Sequence, residues 1–506
     1  MLIESFITAL ISTLLSPWGL SLAALGALLG IVLGALPGVS STMALAILLP
    51  LSFSMEAHLA ILFLLCVFVA SVYGGSISAI LINIPGTPGA IVTQLDGHPM
   101  AKAGRAREAL VYALVASTIG GAFGLGLLVI IAPLLASVAM SFRSPEFAAV
   151  AIFGLVLLAY ASPGTTVRGL LVGAIGLICG MVGFDTLTDV PRFTFDTRLL
   201  QGGVELVPLC VGLFGLAEVL KHLHASHQAA PTVNMKATQR TQMKVRSLLK
   251  RWKSMLRGSL IGAFVGAIPA AGAAIAVAIA YAQEMRFSKH PEQFGQGAIE
   301  GVVAPEAANS SSIGGTMIPM MTLGVPGDAI TAVLMGSLLI HGLRPGPMLF
   351  AENPQMVSSI YAGFLIALLL TLIIGLLMMR WLPLILRIPS HVLLVGIALL
   401  CVVGAYAIRN SMADVYIMLF FGSLGYLLHL LSLPSAPLAF GLILGPLLEE
   451  NLRRSLILGR GSWDMFLNSP IAMSLLALSI FAIVLPFIAP LWVRFKSDLQ
   501  RLKVPF

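Results

Sequence analysis

Two stretches carry the residues that can do chemistry in an otherwise apolar chain. They are residues 69–100, VASVYGGSISAILINIPGTPGAIVTQLDGHPM, and residues 307–339, AANSSSIGGTMIPMMTLGVPGDAITAVLMGSLL. Each is interrupted by a Gly-Gly pair and then by a Pro-Gly pair. Gly74-Gly75 answers Gly314-Gly315, and Pro85-Gly86 answers Pro326-Gly327 with one residue of slippage. A helix broken at membrane depth exposes free N–H groups at one start and free carbonyls at the other end. The N–H end attracts a carboxylate and the carbonyl end attracts a cation such as Na⁺. Hydroxyls and amides gather at the same places. Ser40, Ser41, Thr42, Asn83, Gly86, Thr87, Asn309, Ser310, Ser311 and Gly327 are therefore the expected binding residues for an anionic substrate. Asn83, Asn309, Thr322 and Asp328 are the expected ligands of a coupling ion. The competing reading of any single hydroxyl is a bond to its own helix, which is common in membrane helices.

The ionisable groups nearest the breaks are Asp96, Glu306 and Asp328. An acid at membrane depth is a functional candidate by default. Asp328 also stands where a helix cap is needed, and Asp96, beside Gly97-His98-Pro99, suits the headgroup zone. His98, His341, Lys102, Arg105 and Arg344 fit ordinary interfacial placement. No H-E-x-x-H, P-loop or nucleophile-elbow pattern occurs, so neither zinc hydrolysis nor ATP-driven work is assigned to this chain. No cofactor is expected beyond a candidate Na⁺.

The elements that must position these residues are membrane helices. Of the 506 residues 58% are hydrophobic and 10% charged, with a mean hydropathy of +0.99. Soluble chains carry roughly a quarter charged residues. The fold class is all-α and polytopic, with about twelve spans of about 20 residues each. The net charge of +8 is read as positive-inside loops and not as a nucleic-acid surface. Cys66, Cys179, Cys210 and Cys401 lie singly in apolar runs and have neither metal nor disulfide spacing. The first fifteen residues lack a basic leader region and read as a short interfacial or packed helix.

The chain repeats itself. Gly26, Gly30 and Gly34 recur as Gly258, Gly262 and Gly266, and Pro37 recurs as Pro269, all at one offset of 232 residues. A glycine every fourth position lays a smooth groove along one helical face, where another backbone can approach. The offset to the Gly-Gly pairs is 240, so the second half carries eight extra residues, placed around residues 283–301. Repeat A is expected at about 20–140, inside a first membrane half at 1–220. Repeat B is expected at about 258–385, inside a second half at 258–506. Residues 221–257, with nine Lys or Arg and no acid, read as a cytoplasmic linker. Residues 41–50 are too short to cross and read as half of a broken or re-entrant helix. The polar piece at residues 184–202, containing Asp185, Asp189, Arg192, Asp196 and Arg198, reads as a solvated face. We favour inverted repeats, which bring two broken helices head to head; an odd number of crossings between Gly26 and Gly258 supports this.

The segments GALPGVSSTMALAILLPLSF, YGGSISAILINIPGTPGAIVTQLDGHPMAKAG, QFGQGAIEGVVAPEAANSSSIGGTMIPMMTLGVPGDA and GLRPGPMLF resemble the large membrane subunit of the tripartite tricarboxylate transporters. The resemblance covers nearly the whole chain. It implies a permease of the bacterial inner membrane with about twelve spans. It also implies a small four-helix membrane subunit and a periplasmic solute-binding protein as partners. The implied substrates are di- and tricarboxylates such as citrate, and aromatic acids, driven by Na⁺ or H⁺. In the family pattern the breaks read Pro-Gly-x-Gly and Pro-Gly-Ala-Gly, where this chain has Pro37-Gly38-Val39-Ser40 and Pro269-Ala270-Ala271-Gly272. A paired Asn is also usual where this chain has Asn309-Ser310. The rival readings are a single-component anion carrier, an intramembrane enzyme acting on a lipid-linked substrate, and a non-transporting scaffold. The enzyme would need an acid–base or metal constellation at one depth.

Overall fold

A computed structural model describes residues 2–162, 166–185, 187–225, 250–269, 271–385 and 390–501. Nearly all of it is helical. In chain order the main helices are α1 (Leu2–Leu15), α2 (Pro17–Ala35), α3 (Ser41–Leu48, continued by a 3₁₀ turn to Ser52), α4 (Ala57–Ile82), α5 (Thr93–Met100) and α6 (Ala106–Ala139). Then come α7 (Ser144–Ala161), α8 (Thr166–Gly180), α9 (Leu206–Leu223), α10 (Trp252–Gly266), α11 (Gly272–Phe287) and α12 (Glu300–Leu323). The series ends with α13 (Ala329–Ile340), α14 (Pro354–Met378), α15 (Ser390–Ala407), α16 (Met412–Leu430), α17 (Ala436–Leu458) and α18 (Pro470–Arg501). Among the described residues, six helices are long and apolar enough to cross a membrane unaided, and seven shorter apolar helices accompany them. The chain is an all-α polytopic membrane protein. Most of the expected linker, residues 226–249, lies outside the described residues, as does Ala270 in the second break.

The helix ends follow local chemistry. Ser16 caps α2 by accepting from the Gly19 N–H, with Pro17 at the first position, and Ser40 caps α3 by accepting from the Met43 N–H. At their far ends α4 and α12 stop on left-handed residues, Asn83 (φ 59°) and Gly324 (φ 69°).

The chain divides into two compact units, one of residues 1–140 and 205–429, the other of residues 141–204 and 430–506. Both expected repeats fall in the first unit. The glycine ladders set its packing. A Cβ on Gly26, Gly30 or Gly34 would come within 2.6, 2.6 and 2.3 Å of the Phe63, Val67 and Ser71 carbonyl oxygens of α4. Likewise a Cβ on Gly258, Gly262 or Gly266 would meet the Ala304, Ala308 and Ser312 carbonyls of α12 at 2.2, 2.1 and 2.7 Å. The ladders therefore do the same work in both repeats.

The level of these contacts fixes helix direction. Residue numbers rise together along α2 and α4, and along α10 and α12, so each pair runs the same way. Residues 41–52 must therefore carry the chain back alongside α2, over about 20 Å at 1.5 Å per residue. This is the re-entrant alternative of the expectation, since a half-helix in line with α2 could not feed a helix parallel to it. Gly120 meets Ala307 and Gly124 meets Ser311, so α6 and α12 are parallel. Gly121 meets Leu368 while Gly375 meets Leu114, so α6 and α14 are antiparallel. Gly363 meets Leu62 and Gly375 meets Tyr73, so α14 and α4 are parallel. It follows that α4 opposes α12 and α6 opposes α14, and the repeats are inverted. They are also interlocked, since α6 of repeat A packs on α12 and α14 of repeat B packs on α4.

The register differs from the expected one. Gly74 packs on Ile31 and Gly34, and Gly315 packs on Ala263 and Gly266. Gly74 is thus the counterpart of Gly315, not Gly314. With Gly86 against Gly75 and Gly327 against Thr316, one offset of 241 runs through α4 and α12 and no slippage remains.

The second unit is built on close crossing of α8 and α17. A Cβ on Gly176 would lie 2.2 Å from the Leu438 oxygen, and one on Gly441 2.2 Å from the Gly173 oxygen. A short antiparallel pair, Gly183–Phe184 with Pro191–Arg192, projects from it. Here the solvated-face expectation holds for Asp189 and Asp196 but not for Asp185, which is buried. Arg453 and Arg192 bridge Asp185 to Glu449. The Arg453 guanidinium, helped by the Leu187 and Thr188 N–H groups and by Arg192, holds the Asp185 carboxyl well below the usual carboxylate range. A depressed folded-state value contributes stability above the unfolded value, roughly pH 3.9, and that contribution drains away at lower pH. Hydrogen-exchange protection of residues 183–197 is expected to fall as the pH drops below about 4, and Asp185→Asn should remove that dependence.

Candidate functional site

After α4 the chain turns back into the protein. The Gly86 N–H donates to the Gly75 oxygen at 3.2 Å, and Thr87 packs on Gly75. A 3₁₀ turn at Pro88–Ala90 follows, and α5 then climbs until Gly97 rests on Ile80. Residues 83–92 are therefore a re-entrant segment. In repeat B the same turn places Gly327 on Thr316, and α13 then starts at Asp328. The Pro88–Ala90 turn packs against α11, and α13 packs against α3. Each repeat's second hairpin thus lies on the other repeat's return helix.

At the re-entrant turn Gly89 approaches one expected site residue, Asn309 of α12. The Asn309 Oδ1 lies 2.1 Å from where a Cβ on Gly89 would stand, so glycine is required for this approach. The Thr87 Oγ1 and the Asn309 Nδ2 are buried and have no hydrogen-bond partner among the described residues. The same is true of Ser41 Oγ on α3 and Ser337 Oγ on α13. Buried polar atoms are almost always paired, so such groups need a reason. Gly86 packs on Gly75 and Gly34.

Other expected residues are placed differently. Asn83 is exposed and serves as a left-handed cap, as Gly324 does in repeat B, so it is not the counterpart of Asn309. The Ser40 hydroxyl is taken up by its cap, and Thr42 is half-buried. Ser310 is buried on α12. Ser311 donates to the Ser259 oxygen and Thr322 to the Ile318 oxygen, both at 2.7 Å. Asp328 caps α13 in a reciprocal pair with Thr331, and Gly327 serves close packing on Thr316.

Two acids have unexpected surroundings. Asp96 is fully buried inside the protein. Its Oδ1 accepts from the Gly295, Gly297 and Ala298 N–H groups at 2.8–2.9 Å, and its Oδ2 accepts from the Tyr281 hydroxyl at 2.9 Å. The polar insertion of repeat B is thus tied to α5 of repeat A. Glu306 is also fully buried and accepts from the hydroxyls of Ser76, Thr93 and Ser117. Sequence reasoning missed Ser76, Ser117 and Tyr281. An acid in the apolar run of α12 was the available signal, but its partners lie 189–230 residues away.

Inverted, interlocked repeats with re-entrant segments that present unpartnered polar groups define a multi-pass membrane transport protein. The chain belongs to the tripartite tricarboxylate transporter TctA family, whose profile matches residues 20–440. It is 36% identical over 487 residues, 96% of each chain, to an uncharacterized 52.8 kDa protein in the TAR-I ttuC' 3' region of Agrobacterium vitis. It is 37% identical over 242 residues, 48% of this chain and 97% of the other, to an uncharacterized protein in the TAR-II ttuC' 3' region of the same organism. No solved structure matches it.

Proposed function

We propose that this chain is the large permease subunit of a binding-protein-dependent secondary transporter that takes up an organic di- or tricarboxylate across the bacterial inner membrane. A Na⁺ or H⁺ gradient drives the uptake. The partners are a small four-helix membrane subunit and a periplasmic solute-binding protein that delivers the substrate. The observation that carries this reading is the pair of buried, unpartnered donors, the Thr87 hydroxyl and the Asn309 amide, beside the re-entrant turn. Both can donate to a carboxylate, and a hydrogen bond to a charged acceptor is worth about 1.5–3 kcal/mol. Family membership supports the transport class.

The test is reconstitution of the permease with its small subunit in proteoliposomes, with the binding protein and labelled citrate or a labelled dicarboxylate outside. Accumulation should require the binding protein and should stop when both the Na⁺ and pH gradients are collapsed. Accumulation that survives collapse of both gradients would remove the secondary-transport reading.

A further inference from the structure

Glu306 sits in α12 with no basic partner. None of the ion pairs among the described residues includes it. Its three partners are hydroxyls supplied by three elements of the other repeat. Ser76 on α4 donates to Oε1 at 2.6 Å, Thr93 on α5 donates to the same oxygen, and Ser117 on α6 donates to Oε2 at 2.9 Å. A carboxylate has about four acceptor positions. Two on Oε1 and one on Oε2 are used, which leaves one position on Oε2.

An ionised, unpaired carboxylate at this depth is costly, so a cation must accompany it for at least part of the cycle. A metal ion would need several oxygen lone pairs turned towards it. Here the hydroxyl hydrogens fill the approach to the carboxylate at hydrogen-bond distance. A proton needs only the vacant position on Oε2, and all three hydroxyl bonds can persist when it is there. We propose that Glu306 binds and releases the proton that drives transport; this rests on the transporter reading above. The O–H bond forms at Oε2 from the outer side and breaks towards the inner side. On entry an O–H bond of a hydronium ion on the outer side breaks as the Oε2–H bond forms, and on release the proton forms a new O–H bond with water on the inner side.

The placement links this proton to the substrate. Glu306 and Asn309 are three residues apart and share a face of α12. Thr93 opens α5 directly behind the re-entrant turn that bears Thr87, and Ser76 follows Gly75, on which Thr87 packs. A change in the bonds to Glu306 is therefore felt at the segment that holds Thr87 and Gly89. Other titratable groups around α12 have their own partners. Tyr73 on α4 donates to the Leu110 oxygen. Asp96 on α5 is held by three backbone N–H groups and Tyr281 of α11, and His98 by the Ile80 oxygen. On α6, Arg105 at the helix start pairs with Glu108, and Tyr112 lies under the Arg251 guanidinium. Arg257 of α10 pairs with Glu284 of α11, Arg251 pairs with Glu300, Asp328 caps α13, and His341 meets the Ser337 and Met55 oxygens.

The experiment has two readouts on the reconstituted complex. Infrared difference titration should show the C=O stretch of one protonated carboxyl appearing as pH falls in wild type and absent in Glu306→Gln. In the same vesicles, accumulation of labelled citrate or dicarboxylate driven by a pH gradient should fall about tenfold or more in E306Q, equivalent to at least about 1.4 kcal/mol. Equal-concentration exchange of the same probe should persist, and Glu306→Asp should restore part of the driven uptake. Three results overturn the proposal: wild-type pH-driven accumulation by E306Q, loss of exchange together with accumulation in folded E306Q, or wild-type accumulation that follows Na⁺ alone. If E306Q does not assemble, Ser117→Ala reads the same site. A shifted titration of the infrared band supports the proposal, and a band indifferent to Ser117 assigns the proton elsewhere and ends it. Absence of any exchange of di- or tricarboxylates by wild type would instead remove the transporter reading, while the infrared titration still judges Glu306.

Discussion

Valine in place of Gly34 or Gly262 is expected to leave little assembled protein in the membrane, whereas Gly126→Val should be recovered at wild-type levels. The three sites have the same residue type and the same helical setting, so intrinsic helix propensity changes equally. They differ in what a side chain would meet. A Cβ at Gly34 would sit 2.3 Å from the Ser71 oxygen and one at Gly262 2.1 Å from the Ala308 oxygen, while nothing lies within 4 Å of a Cβ at Gly126. The obstructing atoms are backbone carbonyls in α4 and α12, both buried along most of their length. They cannot rotate aside as a side chain would. Relief requires α2 to leave α4, or α10 to leave α12, and that opens the other rungs of the ladder as well. Overpacking commonly costs about 1–3 kcal/mol when neighbours can shift; here they cannot, and membrane helices depend on close contact for association. Total stability is only about 5–15 kcal/mol. Detergent extraction followed by size-exclusion profile and thermal melting would measure the outcome. Monodisperse, wild-type-stable Gly262→Val would mean that the α10–α12 approach is wrong.

These ladders also show which parts of the fold were legible in the sequence. A glycine every fourth residue is a local pattern, and its reuse at one offset required both ladders to have similar partners. The register of α4 against α12 was not legible, because Gly314-Gly315 imitates Gly74-Gly75 one residue early. Contacts show that Thr316 takes the place of Gly75. The return path of α3 was hidden for a related reason. A twelve-residue, mostly apolar run looks the same whether it continues a helix or runs back beside it, and only the parallel contacts of α2 with α4 decide. Inversion was a preference until contact levels along α4, α6, α12 and α14 gave the directions.

The site was legible as composition but not as pairing. Polar residues at the breaks drew attention to Thr87 and Asn309, which lie on the re-entrant turn and on the helix that its Gly89 meets. They equally drew attention to Asn83, whose amide side chain is incidental to a left-handed cap that Gly324 fills as well. For Asp96 the sequence neighbours Gly, His and Pro report only a turn. Its actual partners are amides of residues 295–298, brought in by the opposite repeat. In an interlocked pair of repeats the first neighbours of a buried acid are remote in sequence, so local pattern reports the acid but not its partners.

Thr87→Val and Asn309→Leu should each depress transport by about tenfold to a hundredfold without lowering the melting temperature. Each exchange keeps side-chain bulk and removes a polar group. The Thr87 hydroxyl and the Asn309 amide nitrogen have no hydrogen-bond partner among the described residues, so no bond to those residues is lost. Removing an unsatisfied buried polar group relieves a penalty of about 1–3 kcal/mol, and stability should hold or rise slightly. In the proposed function a bound carboxylate accepts from the same groups. Losing one such bond costs about 1.5–3 kcal/mol, which is the stated range in affinity. Ser311→Ala and Thr322→Val provide the opposite case. Their hydroxyls donate to backbone oxygens at 2.7 Å, so these variants should lose up to about 1 kcal/mol of stability and keep wild-type uptake. Uptake with saturating binding protein, measured beside thermal melts of all four variants, separates the two patterns. Stability loss at Thr87 and Asn309 with unchanged uptake would show that their polar atoms serve packing, and would take the substrate away from the re-entrant turn.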